Sequence, residues 1–527
     1  MKFKIGLFLI FLGSVFFTSE KFVDTENTVK FYFTVLALSV SVIIFLFRNI
    51  TLNSEVQKLT SLSMLKGLFI VGVFQAIYGI LQYTGKFPSN HNAFAITGSF
   101  ENPAGFMAVL SLLFPIGAYW CIKSKKLEQR LIFFFVGLIL FSVIIAGSRT
   151  GILAIVISTI VIFISECQLF LKIKNLKHTK LILLSAIILF LFGLFFLYKW
   201  KADSAKGRLL IWQVSAEMIK DQPLLGYGHG GFQANYMDYQ AQYFERNPQS
   251  RLKQLADNTT HPFNEFIKIA VNFGIAGLLI YLLFLSYIFW KLIKTEHPQK
   301  SILLGCYVSF IIVSCFSYPL QYAPIWMLLG YYAIVVFSDW FPKKKLSLKI
   351  KIPIIGGCIF AIIFFSLRMN YEIKWNSISE RSIQGQTNKM LPQYKELYSY
   401  LKHNELFLYN YGAELNVVSK YKESVLLLQK CHKKYNDYDL QMLLADNYYN
   451  IGDTIKAIRT YKYAENMVPC RFLPLYHQMK IYKKLGKVSK AEGIAQKIIE
   501  KQVKVKSATV KTIIKRAENY LNEKKMK

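Results

Sequence analysis

The chain has 527 residues, is 53% hydrophobic and 16% aromatic, and carries a formal charge of +33. That bias excludes an ordinary soluble composition and points to a membrane protein. Lys and Arg lie in short runs between apolar stretches or spread over a C-terminal tail, with no nucleic-acid-binding motif, so a bilayer explains the charge better than a nucleic acid.

The first apolar run, Ile5 to Phe17, follows Met1-Lys2-Phe3-Lys4. Phe16-Phe17-Thr18-Ser19-Glu20 is a poor cleavage site, so the run reads as a first span and not as a signal peptide. Further candidate spans lie at about 29–47, 64–83, 104–122, 131–147, 151–171, 181–199, 266–290, 302–317, 324–341 and 351–367. Most are close to the roughly 20 residues a helix needs to cross hydrocarbon. The expected fold is therefore all-α: a polytopic bundle of about eleven spans over residues 1–367, interrupted by a hydrophilic loop at about 200–262.

Alternate short loops are basic: Lys2/Lys4, Arg48/Lys58, Lys123/Lys125/Lys126/Arg130, Lys172/Lys174/Lys177/Lys180, Lys291/Lys294/Lys300 and Lys343/Lys344/Lys345/Lys349/Lys351. The positive-inside rule places this set and the N-terminus in the cytoplasm. The turn at Arg149, the 200–262 loop and the tail are then expected outside, in the periplasm of a bacterial inner membrane. Of seven cysteines, five lie in or beside apolar stretches, and none has metal-ligand spacing. Cys431 and Cys470 could pair only in an oxidising compartment.

Three polar clusters could carry chemistry. Arg149 stands in Gly147-Ser148-Arg149-Thr150-Gly151 between two apolar stretches, where a planar guanidinium suits phosphate oxygens or snorkels to headgroups. In the large loop, Arg208 precedes an amphipathic stripe of Leu209, Trp212, Ala216 and Ile219, read as a helix lying on the membrane. A glycine-rich run, Pro223 to Phe232, follows and contains His229; it lacks the Lys of a phosphate-binding loop and predicts close backbone approach. The third cluster runs from Asp257 through Asn258, His261 and Asn264 to Glu265. Neutral His261 is a candidate general base, and Glu265 could orient it or serve instead. A plainer reading makes Asn264 and Glu265 a helix start.

From about residue 368 the chain becomes polar, Lys-rich and helical in pattern, with a repeat of about 34 residues. Leu415, Tyr448 and Tyr482 fall in register, as do Ser424, Ala457 and Ala491, and Cys431, Ala464 and Ile498; Gly452 and Gly486 mark one turn. The pattern resembles tetratricopeptide repeats, which stack into a concave groove and suggest a protein partner. Asp437-Tyr438-Asp439 imitates a metal-binding carboxylate pair but lies between repeat helices.

Taken together, the motifs resemble the O-antigen ligase and polymerase superfamily. The matching pieces are Gly98-Ser99-Phe100-Glu101-Asn102-Pro103-Ala104-Gly105, Ser148-Arg149-Thr150-Gly151, Arg208 with Trp212, Pro223 through Phe232, and Asn264-Glu265 with Gly274 and Gly277. The resemblance implies an all-helical membrane enzyme that moves glycan from a polyprenyl-diphosphate carrier to a lipid, polysaccharide or protein acceptor, without metal or other cofactor. It implies diphosphate binding by Arg149 and Arg208, proton transfer by His261 or Glu265, and supporting roles for Asn264, Trp212 and His229. One departure stands out. In ligases of this family a catalytic histidine often directly precedes the helix-starting Asn, and here Phe263 holds that place. A transporter or a non-catalytic scaffold of envelope assembly are the rival readings; span centres nearly free of charge argue against the first.

Overall fold

The computed structural model describes residues 2–47, 62–167, 202–337 and 346–525, with Gly193 and Lys199 besides. Apart from those last two residues, the predicted span at 181–199 lies outside the described residues. So do Arg48, Lys58, Lys172, Lys174, Lys177, Lys180, Lys343, Lys344 and Lys345. Every regular element among the described residues is a helix. Seven are long and apolar enough to cross a membrane, and three shorter apolar helices accompany them. This is a multi-pass membrane protein. The chain divides into two compact units: a membrane unit of Met1–Leu197, Phe263–Phe266 and Ile280–Asn376, and a loop–tail unit of Tyr198–Pro262, Ile267–Leu279 and Ser377–Lys527.

In the membrane unit the helices are α1 (Lys2–Phe16), α2 (Asn27–Phe47), α3 (Leu62–Tyr83), α4 (Pro103–Lys123), α5 (Lys126–Ile145) and α6 (Arg149–Glu166). In the loop, α7 (Ala202–Asp221) and α8 (Gly231–Arg246) follow. Then come α9 (Glu265–Lys294), α10 (Lys300–Phe316), α11 (Ala323–Val336) and α12 (Leu348–Arg381). The centre is α4, fifteen of whose 21 residues are buried. Lipid supplies no hydrophobic drive between helices, so close packing over small residues holds them together. Gly305 of α10 fits against Pro115 and Ile162, where a Cβ would come within 3.1 Å of Pro115 and 2.9 Å of Ile162. Pro115 also removes the backbone N–H that would bond the Ser111 carbonyl. The Ser309 hydroxyl takes that carbonyl instead at 2.7 Å, as a dry environment requires.

These contacts orient the helices. Gly151 at the start of α6 lies against Met107 near the start of α4, while Glu166 at its end pairs with Lys123 at 2.6 Å. Lys66 pairs with Glu128 at the same end as Lys123, at 3.1 Å, and Lys4 reaches Ser63 there. That end is basic. The opposite end gathers the starts of α2, α4, α6, α9 and α11 and the ends of α1 and α10. Side chains there tie Ser99 to Val15, Asn102 to Tyr318 and Tyr322, and Asn264 to Cys315.

The loop–tail unit contains α7, α8, the middle of α9, and the tail helices α13 (Thr387–Leu401), α14 (Glu405–Val417), α15 (Tyr421–His432), α16 (Tyr438–Ile451), α17 (Thr454–Met467), α18 (Leu473–Lys484), α19 (Val488–Glu500) and α20 (Ala508–Lys525). Three successive hairpins, α14–α15, α16–α17 and α18–α19, are capped by α20. The in-register small residues Ser424, Ala457 and Ala491 are fully buried, as are Cys431, Ala464 and Ile498. The turn before each second helix is left-handed: Ser419, Gly452 and Gly486 have φ of 60°, 92° and 69°. Ser419 is the third member of a position that the sequence marks only with two glycines.

The tail docks on the loop. The Asn436 amide donates to the Gln233 carbonyl at 3.1 Å, Tyr438 N–H to Asn258 Oδ1 at 3.0 Å, and Gln240 Nε2 to the Met467 carbonyl at 2.6 Å. Arg471 pairs with Asp257 at 3.3 Å. Cys431 and Cys470 are separate buried thiols, facing the carbonyls of Glu405 and Ala256.

Candidate functional site

The polar end of the membrane unit is built from helix starts. Gly147, with φ of 65°, turns the chain into α6, and Ser148 caps it by accepting from Gly151 N–H at 3.1 Å. Arg149, half-buried, is the first residue of that helix. A Cβ on Gly151 would come within 2.6 Å of Met107 and 2.7 Å of Val143. Gly147, Ser148 and Gly151 thus have structural reasons for their identities.

The stretch Gly98–Gly105 resolves in the same way. Asn102 caps α4 by accepting from Ala104 N–H at 2.8 Å, and Pro103 takes the first helical position. The Asn102 side chain also binds both tyrosines that follow α10, with Nδ2 donating to Tyr318 OH at 3.2 Å and Oδ1 accepting from Tyr322 OH at 3.1 Å. Glu101 accepts from Asn102 Nδ2 at 3.0 Å and from Asn27 Nδ2. Burial, with Asp24 and Glu26 nearby, pushes the Glu101 carboxyl up to about 7 despite Lys30. Lys30 is itself buried, and its ammonium donates to the Ser99 carbonyl at 2.6 Å.

The segment before α9 closes this end. Phe263 has φ of 53° and sets its ring edge-on to Tyr318, centroids 5.4 Å apart. Asn264 Nδ2 donates to the Cys315 carbonyl at 3.0 Å. Glu265 is 1% exposed, and its Oε1 accepts from Leu320 N–H at 3.0 Å. Arg149, Asn264 and Glu265 therefore lie at one end of the membrane unit. Five helix starts and the ends of α1, α3, α5 and α10 meet at that end, so the helix dipoles there largely offset one another.

Arg208, Trp212, His229 and His261 belong to the loop–tail unit. Trp212 Nε1 donates to the Pro262 carbonyl at 2.8 Å, which ties α7 to the chain beside the buried His261. Arg208 stands one turn earlier on α7, half-buried, and His229 is exposed in the glycine run. On α7 Leu210, Ile211, Val214 and Met218 are buried within the unit, while of the stripe expected to lie on the membrane Leu209 and Ala216 are exposed and Trp212 and Ile219 half-buried. Two apolar stripes overlap on this helix; packing within the unit takes one, and Leu209 remains 56% exposed.

The glycine run is explained by the break in α9. Gly274 has φ of 65° and ψ of −170°, opening the helix where the loop adds its backbone. Tyr227 and Gly228 N–H donate to the Val271 and Asn272 carbonyls at 3.0 and 2.7 Å, and Ile275 N–H donates to the Pro223 carbonyl at 2.8 Å. A Cβ on Gly274 would lie 2.1 Å from the Leu224 carbonyl oxygen, and one on Gly226 would lie 2.4 Å from that of Val271. The predicted span at 266–290 is thus a broken helix, because the loop needs its freed backbone groups.

Asp437 caps α16, accepting from Leu440 N–H at 2.8 Å and from Tyr435 OH at 2.9 Å, while Asp439 accepts from Asn258 at 3.3 Å. Sequence reasoning missed Lys30, Tyr318 and Tyr322 as parts of the polar end. Lys30 carried a signal, since an ammonium near the start of a span needs a partner.

Comparison with known proteins agrees with this picture over part of the chain. Residues 132–282 match the family described as O-antigen ligase, a stretch from α5 through the large loop into α9. A protein of Rickettsia conorii (strain ATCC VR-613 / Malish 7), provisionally named a polysaccharide ligase, is 25% identical over 142 residues. One of Rickettsia prowazekii (strain Madrid E), named likewise, is 26% identical over 141 residues. Each match covers 26% of this chain and 32% of the relative, so the similarity spans about a third of each relative's length. The matched stretch holds Arg149, Arg208, Trp212, His229, His261, Asn264 and Glu265.

Proposed function

We propose that this protein is a membrane glycosyltransferase of the O-antigen ligase type, moving glycan from a polyprenyl-diphosphate carrier to a lipid, polysaccharide or protein acceptor. The observation that carries the reading is Arg149 at the polar end of the membrane unit, opposite the basic end and inside the stretch that matches the ligase family. In the reaction the sugar–diphosphate C–O bond breaks and its electrons pass to the leaving oxygen. The acceptor oxygen bonds to the same carbon, and its proton goes to His261 or Glu265. Arg149 opposes the charge that grows on the diphosphate; the sequence-based assignment of Arg208 to the same anion stands beside it as part of the proposal. The site faces the periplasm, opposite the basic end, and the tail repeats are tetratricopeptide-like and recruit a protein partner.

Reconstitution with a polyprenyl-diphosphate-linked glycan and candidate acceptors tests this. Arg149→Ala and Arg208→Ala are each expected to lower transfer by roughly 100- to 1000-fold, the size of one lost transition-state donor, with membrane insertion intact. Full activity in both variants would falsify the mechanism. Comparing His261→Gln with Glu265→Gln assigns the proton acceptor.

A second reading, a non-catalytic scaffold, is favoured by Phe263. At the place of the family's histidine its ring packs on Tyr318 and has no proton to exchange. Donor binding without turnover, across every acceptor tried, would select that reading.

A further inference from the structure

We propose that the distal end of the tail is a binding site for an anionic glycan. The tail's charge is unevenly distributed. Residues 387–451 carry eight Lys and Arg against seven Asp and Glu, whereas residues 473–525 carry fourteen against four. Solubility does not require such asymmetry, and a local excess of one sign is the footprint of an oppositely charged partner.

The excess surrounds a defined recess. A cleft of about 730 Å³ lies between the loop at 503–508 and the outer face of α20, within the size range of ligand-binding clefts. Its rim carries Lys506, Lys511 and Lys515, all exposed, and none of them has a carboxylate within ion-pair reach among the described residues. Ser507, Asn519, Asn522 and the exposed carboxylate of Glu518 also line it, with the aliphatic side chains of Val503, Val510 and Ile514; the three lysines outnumber that one carboxylate. Hydroxyl and amide groups both donate and accept, matching sugar hydroxyls; a carboxylate or phosphate accepts only. The aliphatic side chains suit the C–H face of a sugar ring, and the lysines suit its acidic substituents.

The opposite face of α20 packs on the preceding helices. Lys483 lies over the Tyr520 ring at 4.9 Å and Arg516 over Tyr476 at 5.6 Å, fastening α20 to α18 through its other face. The cleft face of α20 is left to solvent.

The inference concerns binding alone and does not depend on the transfer reaction. The experiment uses the full chain in nanodiscs of neutral lipid, with fluorescent dextran sulfate, unmodified dextran and polyglutamate as probes. Dextran sulfate is expected to bind more tightly than polyglutamate of equal charge. K506Q/K511Q/K515Q should weaken dextran sulfate binding by about tenfold, since exposed ion pairs are individually weak and three are removed. K389Q/K395Q/K402Q, in the balanced part of the tail, should leave binding unchanged. N519A/N522A should weaken binding of dextran sulfate and not of polyglutamate. The proposal is overturned by indifference to the cleft lysines, by equal binding of polyglutamate with no asparagine effect, or by preferential capture on phosphatidylglycerol vesicles. Because no turnover is read, a failure here leaves the proposed transferase reading intact, and the reverse holds.

Discussion

Arg149 was legible as a candidate because its neighbours are small and its flanks apolar, so nothing local accounts for a charge there. The structure accounts for Gly147, Ser148 and Gly151 by turn, cap and contact, which leaves Arg149 as the charged group of that turn. Arg149→Lys keeps the charge but loses the planar fork that matches two phosphate oxygens. Its transfer rate is therefore expected to fall between those of wild type and Arg149→Ala in the reconstituted assay. Glu101 makes a different prediction. Its carboxyl is raised to about 7 by burial with Asp24 and Glu26, against the opposing pull of Lys30, while the ordinary value is 4.5. Below the ordinary value it is protonated whether folded or not, and its contribution to stability is complete. As pH rises through about 7 the fold is forced to hold a disfavoured charge and loses stability. Glu101→Gln should therefore melt like wild type at pH 4.5 and above wild type at pH 8, read by intrinsic fluorescence in detergent; equal melting at both would refute the assignment.

Among the elements, the break in α9 and the glycine run act as one device. Glycine density in the sequence signalled close backbone approach but not its partner, which lies some fifty residues away. Gly274 occupies backbone space that is nearly exclusive to glycine, so Gly274→Ala should cost about 1–3 kcal/mol from strain alone. The Leu224 carbonyl, 2.1 Å from the new Cβ, adds to that loss. A lowered melting temperature is expected, whereas Leu279→Ala, at a 54% exposed position, should change it little. In the tail, Ser419 adopts the left-handed turn that its counterparts assign to glycine. A left-handed non-glycine residue costs roughly 1–2 kcal/mol, and glycine's added unfolded-state entropy returns about 0.4–1 kcal/mol of that. Ser419→Gly is thus expected to stabilise the protein by about half a kcal/mol, seen as a small rise in the denaturant midpoint; a fall would show that the serine hydroxyl contributes more than the turn costs.

For the whole molecule, the main untested expectation is sidedness. With native cysteines replaced, Ser89→Cys in the loop between α3 and α4 should react with a membrane-impermeant thiol reagent in intact spheroplasts. Lys125→Cys, at the basic end, should react only after permeabilisation. The reverse pattern would move the proposed site to the cytoplasm and exclude a periplasmic reaction. Helical class, the position of most spans and the step of the tail repeat could be read from residue order, because bilayer thickness and helix period act on neighbours along the chain. Which stripe of α7 is buried, where α9 breaks, and how Lys30, Asn102, Tyr318 and Tyr322 come together could not. Those outcomes are set by partners tens or hundreds of residues distant, and only packing in three dimensions selects among stripes and carbonyls that the linear order leaves equivalent.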